Sequence, residues 1–267
     1  MFDDPANRSC PLYRSLDEVK KEFLSRAQGA HSGLYGYCHA DRLVGVLCYF
    51  ALPKDNYLQT VAFLAAEDHA SVFAAFLAHL RENFTGYEAL IGITAENTQA
   101  AGALLASCYA LAEASTDMRL NRSGFAFGGQ PGCTIERIGK ARFHEYAHFH
   151  DKHFQNIYWN SGRLYDKADA WYIFAVREGE QIVGGLFLTA GPGMAEIFGM
   201  AAESLPESCG STGFLSAALN AVFCDREDVH EVVFLVDLKD EMLRAAAVKA
   251  GFEVIGHYRC YAAKIGE

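Results

Sequence analysis

Apolar and polar positions along the chain fall into one sequence of events that occurs twice. GLYGYCHADRLVGVLCYF (33–50) reads as a strand, a short polar turn at HADR and a second strand. WYIFAVREGEQIVGGLFLT (171–189) has the same shape, with its turn at REGEQ and a second strand opening IVGGL. Apolar β-formers flanking a short charged turn predict a hairpin in each case. Later in the first half, the strand ALIGITA (89–95) is followed by ENTQAAGALLASCY (96–109), a helical stretch ending at Cys108-Tyr109. The second half repeats this as EVVFLVDL (231–238) and KDEMLRAAAVKAGF (239–252), ending at Gly251-Phe252. Gly45 and Asn97 are 52 residues apart, and Gly184 and Asp240 are 56 apart. Two copies of one domain are the reading that this order supports.

Helices are expected at Ser15–Ala27, 70–83, 141–154 and 213–223, and after Asn97 and Asp240. Ser15 with Glu18 forms the pattern of a capping box. A closing strand pair is expected to start with FEVIGHYRCYAAKI (252–265). The predicted fold class is α/β, with two tandem domains, each a mixed and mostly antiparallel sheet flanked by helices. The boundary is expected in NRSGFAFGGQPGC (121–133), which holds four glycines and a proline and lacks a period. That divides the chain into 1–125 and 130–267.

Composition narrows the function. The 267 residues are 51% hydrophobic and 21% charged, with a net charge of -10. An acidic chain without Lys/Arg blocks is a poor partner for nucleic acid or an anionic membrane surface. No apolar run approaches the roughly 20 residues that a membrane helix needs, and MFDDPANRSCPLYRS has no apolar signal region. The eight cysteines never form C-x-x-C, and several lie in apolar runs. They are expected to be reduced and mostly buried in a cytoplasmic protein.

Two segments carry candidate chemistry. Cys209, Gly210, Ser211, Thr212, Gly213 and Phe214 place small residues before a helix. Unpaired N–H groups at a helix start and the helix dipole together suit a pyrophosphate, provided side chains leave the approach open. The alternative is a turn with an N-cap. The first half has VAFLAAEDHASVFAAFLAHL (61–80) at this place, with no glycine and with Glu67 and Asp68 at the helix start, where they repel phosphate. The second segment is FHEYAHFHDKHFQNIYW (143–159), rich in histidine and aromatic residues. Its His pairs raise zinc binding, but no acidic third ligand follows in register except Asp151, and no metal is expected.

The order of elements resembles the GCN5-related N-acetyltransferase fold over almost the whole chain, as two tandem copies. AEIFGMAAESLPESCGSTGFLSAALNAVF (195–223) is similar to that family's fourth strand, cofactor loop and following helix, without the usual leading Arg. The segment from Asp240 to Gly251-Phe252 is similar to its late Asn-helix-Gly-Phe pattern, with Asp240 for Asn and Ala247 where many members carry an acidic Tyr. The resemblance implies acetyl-CoA as co-substrate, held by residues 209–214, by Asp240 and by the strand through Phe198, Gly199, Met200, Ala201 and Ala202. Main-chain N–H groups of that strand would bind the thioester carbonyl if the strand splays from 232–237. Glu196 stands where some members place a general base, and Tyr258 or Tyr261 would replace the missing acid; a surface Glu and buried structural tyrosines are the plain alternatives. His150, Phe154, Tyr158 and Trp159 would wall the pocket of an amine acceptor, a small molecule or a peptide, or else simply pack a helix into the core. The implied function is N-acetyl transfer confined to the second half. The other reading is a silent acetyl-CoA-binding or scaffold protein.

Overall fold

A computed structural model describes residues 4–9, 15–126, 132–155 and 157–266. Cys10 and residues 127–131 of the expected boundary lie outside the described residues. In the first half the order is α1 (Leu16–Ala27), β1 (Ser32–His39), β2 (Arg42–Leu52), β3 (Tyr57–Ala65), α2 (His69–Asn83), β4 (Glu88–Thr94), α3 (Thr98–Ala106) and β5 (Ala110–Asn121). The second half has β6 (Glu136–Arg137), α4 (Phe143–His153), α5 (Ser161–Asp166), β7 (Trp171–Glu178), β8 (Gln181–Ala190), β9 (Gly193–Ala202), α6 (Gly210–Asp225), β10 (Val229–Asp237), α7 (Glu241–Lys249) and β11 (Glu253–Lys264). Ser15 and Glu18 close the expected capping box on α1. The six-residue α5, capped by Asn160, is an element that the sequence pattern missed.

The chain forms two compact units, Met1–Ser115 with Gly256–Glu267, and Thr116–Ile255. The first unit's strand order is β1-β2-β3-β4-β11, and the second's is β5-β10-β9-β8-β7-β6. These units do not divide at 121–133: β5 from Thr116 onward belongs with the second unit, and β11 from Gly256 onward with the first. β11 pairs antiparallel with β4 from Tyr258↔Thr94 to Lys264↔Glu88, and Tyr261 and Ile265 enter the first unit's core. Met118 and Leu120 of β5 enter the second unit's core. The expected closing strand pair is one long strand, β11.

In the first unit, α2 and α3 cover one sheet face through Phe73, Phe76, Leu80 and Leu104, against Leu47, Leu58, Phe63 and Ile91. In the second unit, α6 supplies Phe214, Leu215, Leu219, Val222 and Phe223 against Leu186, Leu188, Ile197, Val232 and Phe234. On the opposite face, Tyr146 and Phe149 of α4 pack with Trp171, Ile173 and Phe187. Each such large apolar side chain contributes about 1.5–3 kcal/mol when fully buried. The repeated glycine has a packing cause: a Cβ at Gly45 would come within 2.4 Å of Val72, and one at Gly184 within 2.8 Å of Leu205.

The cysteine expectation is corrected twice: one pair is oxidised, and Cys38, Cys108 and Cys224 are exposed. Cys133 and Cys209 form a disulfide across 76 residues. Cys38, Cys48, Cys108, Cys224 and Cys260 are free. Only Cys48 and Cys260 of these are buried, and burial pushes both thiols up to about 12.

Helices α3 and α7 end alike. Tyr109 N–H reaches back to the Leu104 carbonyl and Phe252 N–H to that of Ala247, each at 3.0 Å. This closing turn requires a left-handed residue, which is Gly251 (φ 101°) in one copy and Cys108 (φ 65°) in the other. A side chain in that region costs about 1 kcal/mol, partly offset by the greater unfolded-state freedom of glycine. Cys108→Gly is therefore expected to raise the thermal midpoint by a few degrees in a melt followed by circular dichroism. A lowered midpoint would contradict the assignment of strain to Cys108.

Candidate functional site

The second unit is opened by the parting of two strands. β9 and β10 pair in parallel from Gly193↔Val229 to Ile197↔Phe234, and the ladder ends there. Beyond it β9 continues against β8 only, to Ala202↔Gly184. The main-chain groups of Phe198–Ala202 that face away from β8 thus lack a ladder partner in β10. A bulge falls at the same point: Leu188 pairs with Ile197 and Phe187 with Gly199, leaving Phe198 as the extra residue. Phe198 and Gly199 consequently both turn to the α4 face. Met200 returns to the core under α6, and Ala202 is exposed.

Strand register places Glu196. Ala195 and Val232 are paired and belong to the core beneath α6. Glu196 is paired with Val233 and Thr189, so its side chain leaves from the opposite face, which α4 covers at β7 and β8. Glu231 lies two positions before Val233 on that same face. Its Oε2 is 3.4 Å from Arg119 Nη1. Arg119 also donates to Asp117 through Nε (2.6 Å) and Nη2 (3.1 Å). Arg119 is the largest fully buried side chain among the described residues. Sequence reasoning missed this ion cluster, although Asp117 and Arg119 flank the apolar Met118 with the period of a strand.

Next to Glu196 the face is aromatic. The Phe198 ring lies 5.0 Å from Trp171 and 6.5 Å from Trp159, and the two indoles are 4.9 Å apart. Phe198 remains 38% exposed. Phe154 packs where a Cβ on Gly199 would come within 2.6 Å, so Gly199 admits the wall instead of contacting a ligand through a side chain. Half-buried Tyr158 carries the Arg163 guanidinium 4.2 Å above its ring. Lys167 stands 5.3 Å over Trp159.

His150 is placed differently from Phe154, Tyr158 and Trp159. It has no exposed surface. Its Nε2 lies 2.8 Å from the Trp159 carbonyl oxygen, which only accepts, so Nε2 carries the proton. Nδ1 then accepts from the Tyr146 hydroxyl at 3.4 Å. Burial lowers the His150 pKa and keeps the ring neutral. His150 anchors the wall from behind. His153 and Lys152 both meet Glu203 Oε1, at 2.7 and 2.6 Å. Among the described residues, no three His, Cys, Asp or Glu side chains converge as metal ligands.

The loop between β9 and α6 spans seven residues, 203–209. The Pro206 carbonyl accepts from Cys209 and Gly210 N–H at 2.8 and 3.1 Å. Cys209 is buried and disulfide-bonded, and makes no side-chain cap to the helix. Gly210 is left-handed (φ 57°), with open space where a Cβ would stand. Gly213 and Phe214 turn into the core, while Ser211 and Thr212 stay half-buried. Small residues, an uncapped helix start and an open approach fit a pyrophosphate. Asp240 is exposed and caps α7 by accepting from Leu243 N–H at 2.8 Å.

The first unit has the same frame with different residues at these places. β3 and β4 part after Gln59↔Leu90, and a bulge falls at Val61. Gln59 holds the place of Glu196, and buried Val61 that of Phe198. Only residues 66–68 join β3 to α2. Glu67 is 3.4 Å from Arg42, and Asp68 accepts from the Ser71 hydroxyl at 2.8 Å. Two carboxylates thus stand at the helix start. Tyr258 and Tyr261 also belong to this unit. Tyr258 covers Gly92, and Tyr261 lies in the core. The exchange of β11 therefore removes both from the unit that carries Glu196. Ala247 is fully buried.

Neither a protein-family model nor a curated protein sequence matches the chain. Solved structures do. A tandem GNAT protein from the clavulanic acid biosynthesis pathway is similar over 89% of this chain and 85% of its own, with a TM-score of 0.57 and 16% identity. A GCN5-related N-acetyltransferase from Sphaerobacter thermophilus is similar over 94% and 86%, with a TM-score of 0.67 and 14% identity. Another from Kribbella flavida is similar over 92% and 93%, with a TM-score of 0.57 and 13% identity. At these identities the likeness is one of fold, and the protein has the fold of the GCN5-related N-acetyltransferases in its tandem form.

Proposed function

We propose that the second unit binds acetyl-CoA and transfers its acetyl group to an amine, and that the first unit is a copy that has lost the site. The observation that carries this reading is the parting of β9 from β10 beside an uncapped, small-residue helix start. The N–H groups at Ser211 and Thr212 hold the pyrophosphate, aided by the α6 dipole. The freed main chain of Phe198–Ala202 lines the pantetheine arm and donates to the thioester carbonyl. When bound, acetyl-CoA supplies the activated acetyl group. Glu196, on the face opposite α6, takes the proton from the amine as it attacks, and the C–S bond breaks to release coenzyme A as its thiolate. Phe154, Tyr158 and Trp159 exclude water on that face.

Fully buried Ala247 favours a second reading, a silent acetyl-CoA-binding protein, because no tyrosine acid stands at that place. Calorimetry and free-thiol release over a broad amine panel separate the two. Binding without turnover of any amine selects the second.

Two variants test the parts. Ser211→Glu puts a carboxylate in the first turn of α6, which favours the helix and repels pyrophosphate. It is expected to leave the thermal midpoint within about 2 °C and to weaken acetyl-CoA binding more than about tenfold. Unchanged affinity would make the loop an ordinary turn. Glu196→Gln is expected to lower kcat/KM by about 10²–10⁴-fold, with acetyl-CoA affinity unchanged. It is also expected to flatten the acid limb of the pH profile, since the amide cannot titrate. A loss below about threefold would remove Glu196 from proton transfer.

A further inference from the structure

Phe198 and Trp159 stand beside Glu196 on the face turned away from α6, and the surface that they leave has a defined chemistry. Four aromatic rings, Trp159, Trp171, Phe187 and Phe198, contact one another at 4.9–6.5 Å. Trp171 and Phe187 are buried, whereas Phe198 is 38% exposed and Trp159 half-buried. In the first unit the same bulge position is Val61, at 6% exposure. The second unit therefore keeps a ring at the surface where its copy closes the same place with a small side chain. Exposed flat apolar surface beside a base suits an apolar, planar body on the acceptor.

Charge is distributed along this shelf. Glu196 lies at one end, two residues before Phe198 on β9. The Trp159 ring is 6.5 Å from Phe198, and the Lys167 ammonium stands 5.3 Å over the Trp159 ring. Lys167 is exposed. Glu196 thus neighbours Phe198 along β9, Phe198 neighbours Trp159, and Trp159 neighbours Lys167. A bound molecule that offers its amine to Glu196 lays its body on the rings and brings its far end to an ammonium.

We infer that the acceptor is an aromatic amine carrying an acidic group at the end away from the amine. This rests on the reading of the site as an acetyltransferase. The ammonium is exposed, so its pairing with the acid is worth about 0.2–1 kcal/mol, up to about fivefold in affinity. Stacking on Phe198 and Trp159 supplies the larger share. Aliphatic diamines lack both features and present a second cation to Lys167.

The two tryptophans of the sequence, Trp159 and Trp171, both lie in the shelf. Their emission reports occupancy without any need for turnover. The full chain, alone and with coenzyme A, is titrated with 4-(aminomethyl)benzoate, benzylamine and 1,4-diaminobutane. The expected result is a saturable emission change with the two aromatic amines and none with the diamine. 4-(Aminomethyl)benzoate is expected to bind about fivefold more tightly than benzylamine. Lys167→Gln removes that difference and leaves benzylamine affinity unchanged, and Phe198→Ala weakens both aromatic amines about tenfold.

The inference is overturned if the diamine changes the emission as strongly, or if Lys167→Gln weakens both aromatic amines alike. It is also overturned if coenzyme A alone saturates the emission change and blocks both aromatic amines. Thiol release from acetyl-CoA separates this inference from the function beneath it. Release with the diamine preferred overturns the acceptor class and leaves acetyl transfer standing. The expected emission pattern without release from any amine supports the shelf as a binding site and overturns transfer.

Discussion

The separation of β9 from β10 after Ile197 and Phe234 is the constraint on which the second unit's site depends. A continued ladder to β10 would occupy the main-chain donors on that edge of β9, and parting frees them while β8 holds the other edge. The bulge at Phe198 acts with it. One extra residue turns Phe198 and Gly199 to the same face, so a ring and a small residue lie side by side where regular pleating would separate them. Gly199 admits Phe154, and Phe198 completes the shelf with Trp159 and Trp171. Glu196, on the last stretch of regular strand, is held to this face by its pairing with Thr189 and Val233.

The same frame in the first unit shows which features the site needs. Parting and bulge are both present, at Gln59 and Val61, so they belong to the fold. What differs is chemical. A three-residue turn with Glu67 and Asp68 replaces the seven-residue loop, and Gln59 replaces a carboxylate that can take a proton. Under the proposed function, geometry common to two copies does not make a site without a helix start that accepts an anion.

The repeat, the capping box at Ser15 and the helices after Asn97 and Asp240 were legible in the sequence because each is local: a few residues and their spacing carry the whole signal. The small residues from Gly210 to Gly213 are equally local, but they form the first turn of α6 and not a loop before a helix at 213. The exchange of β5 and β11 was not legible, because a strand's alternation is the same whichever sheet it joins. Tyr258 and Tyr261 were therefore read with the second half, whereas both belong to the first unit. The Cys133–Cys209 pair is separated by 76 residues and has no spacing signature. His150 looked like a pocket residue among four histidines, yet the carbonyl of Trp159 and the hydroxyl of Tyr146 give it two partners that make full burial tolerable. The bulge at Phe198 escaped because it shifts a period of two by one residue, which no local pattern announces.

The central claim is that one unit kept the anion-accepting helix start and the opened strand, and the other lost the first of these. Amide hydrogen exchange of the full chain, with and without saturating acetyl-CoA, tests both units in one measurement. The account predicts slowed exchange at residues 198–202 and 210–214 and no change at 61–65 and 69–73. Protection of both helix starts, or of the α2 start alone, would contradict it.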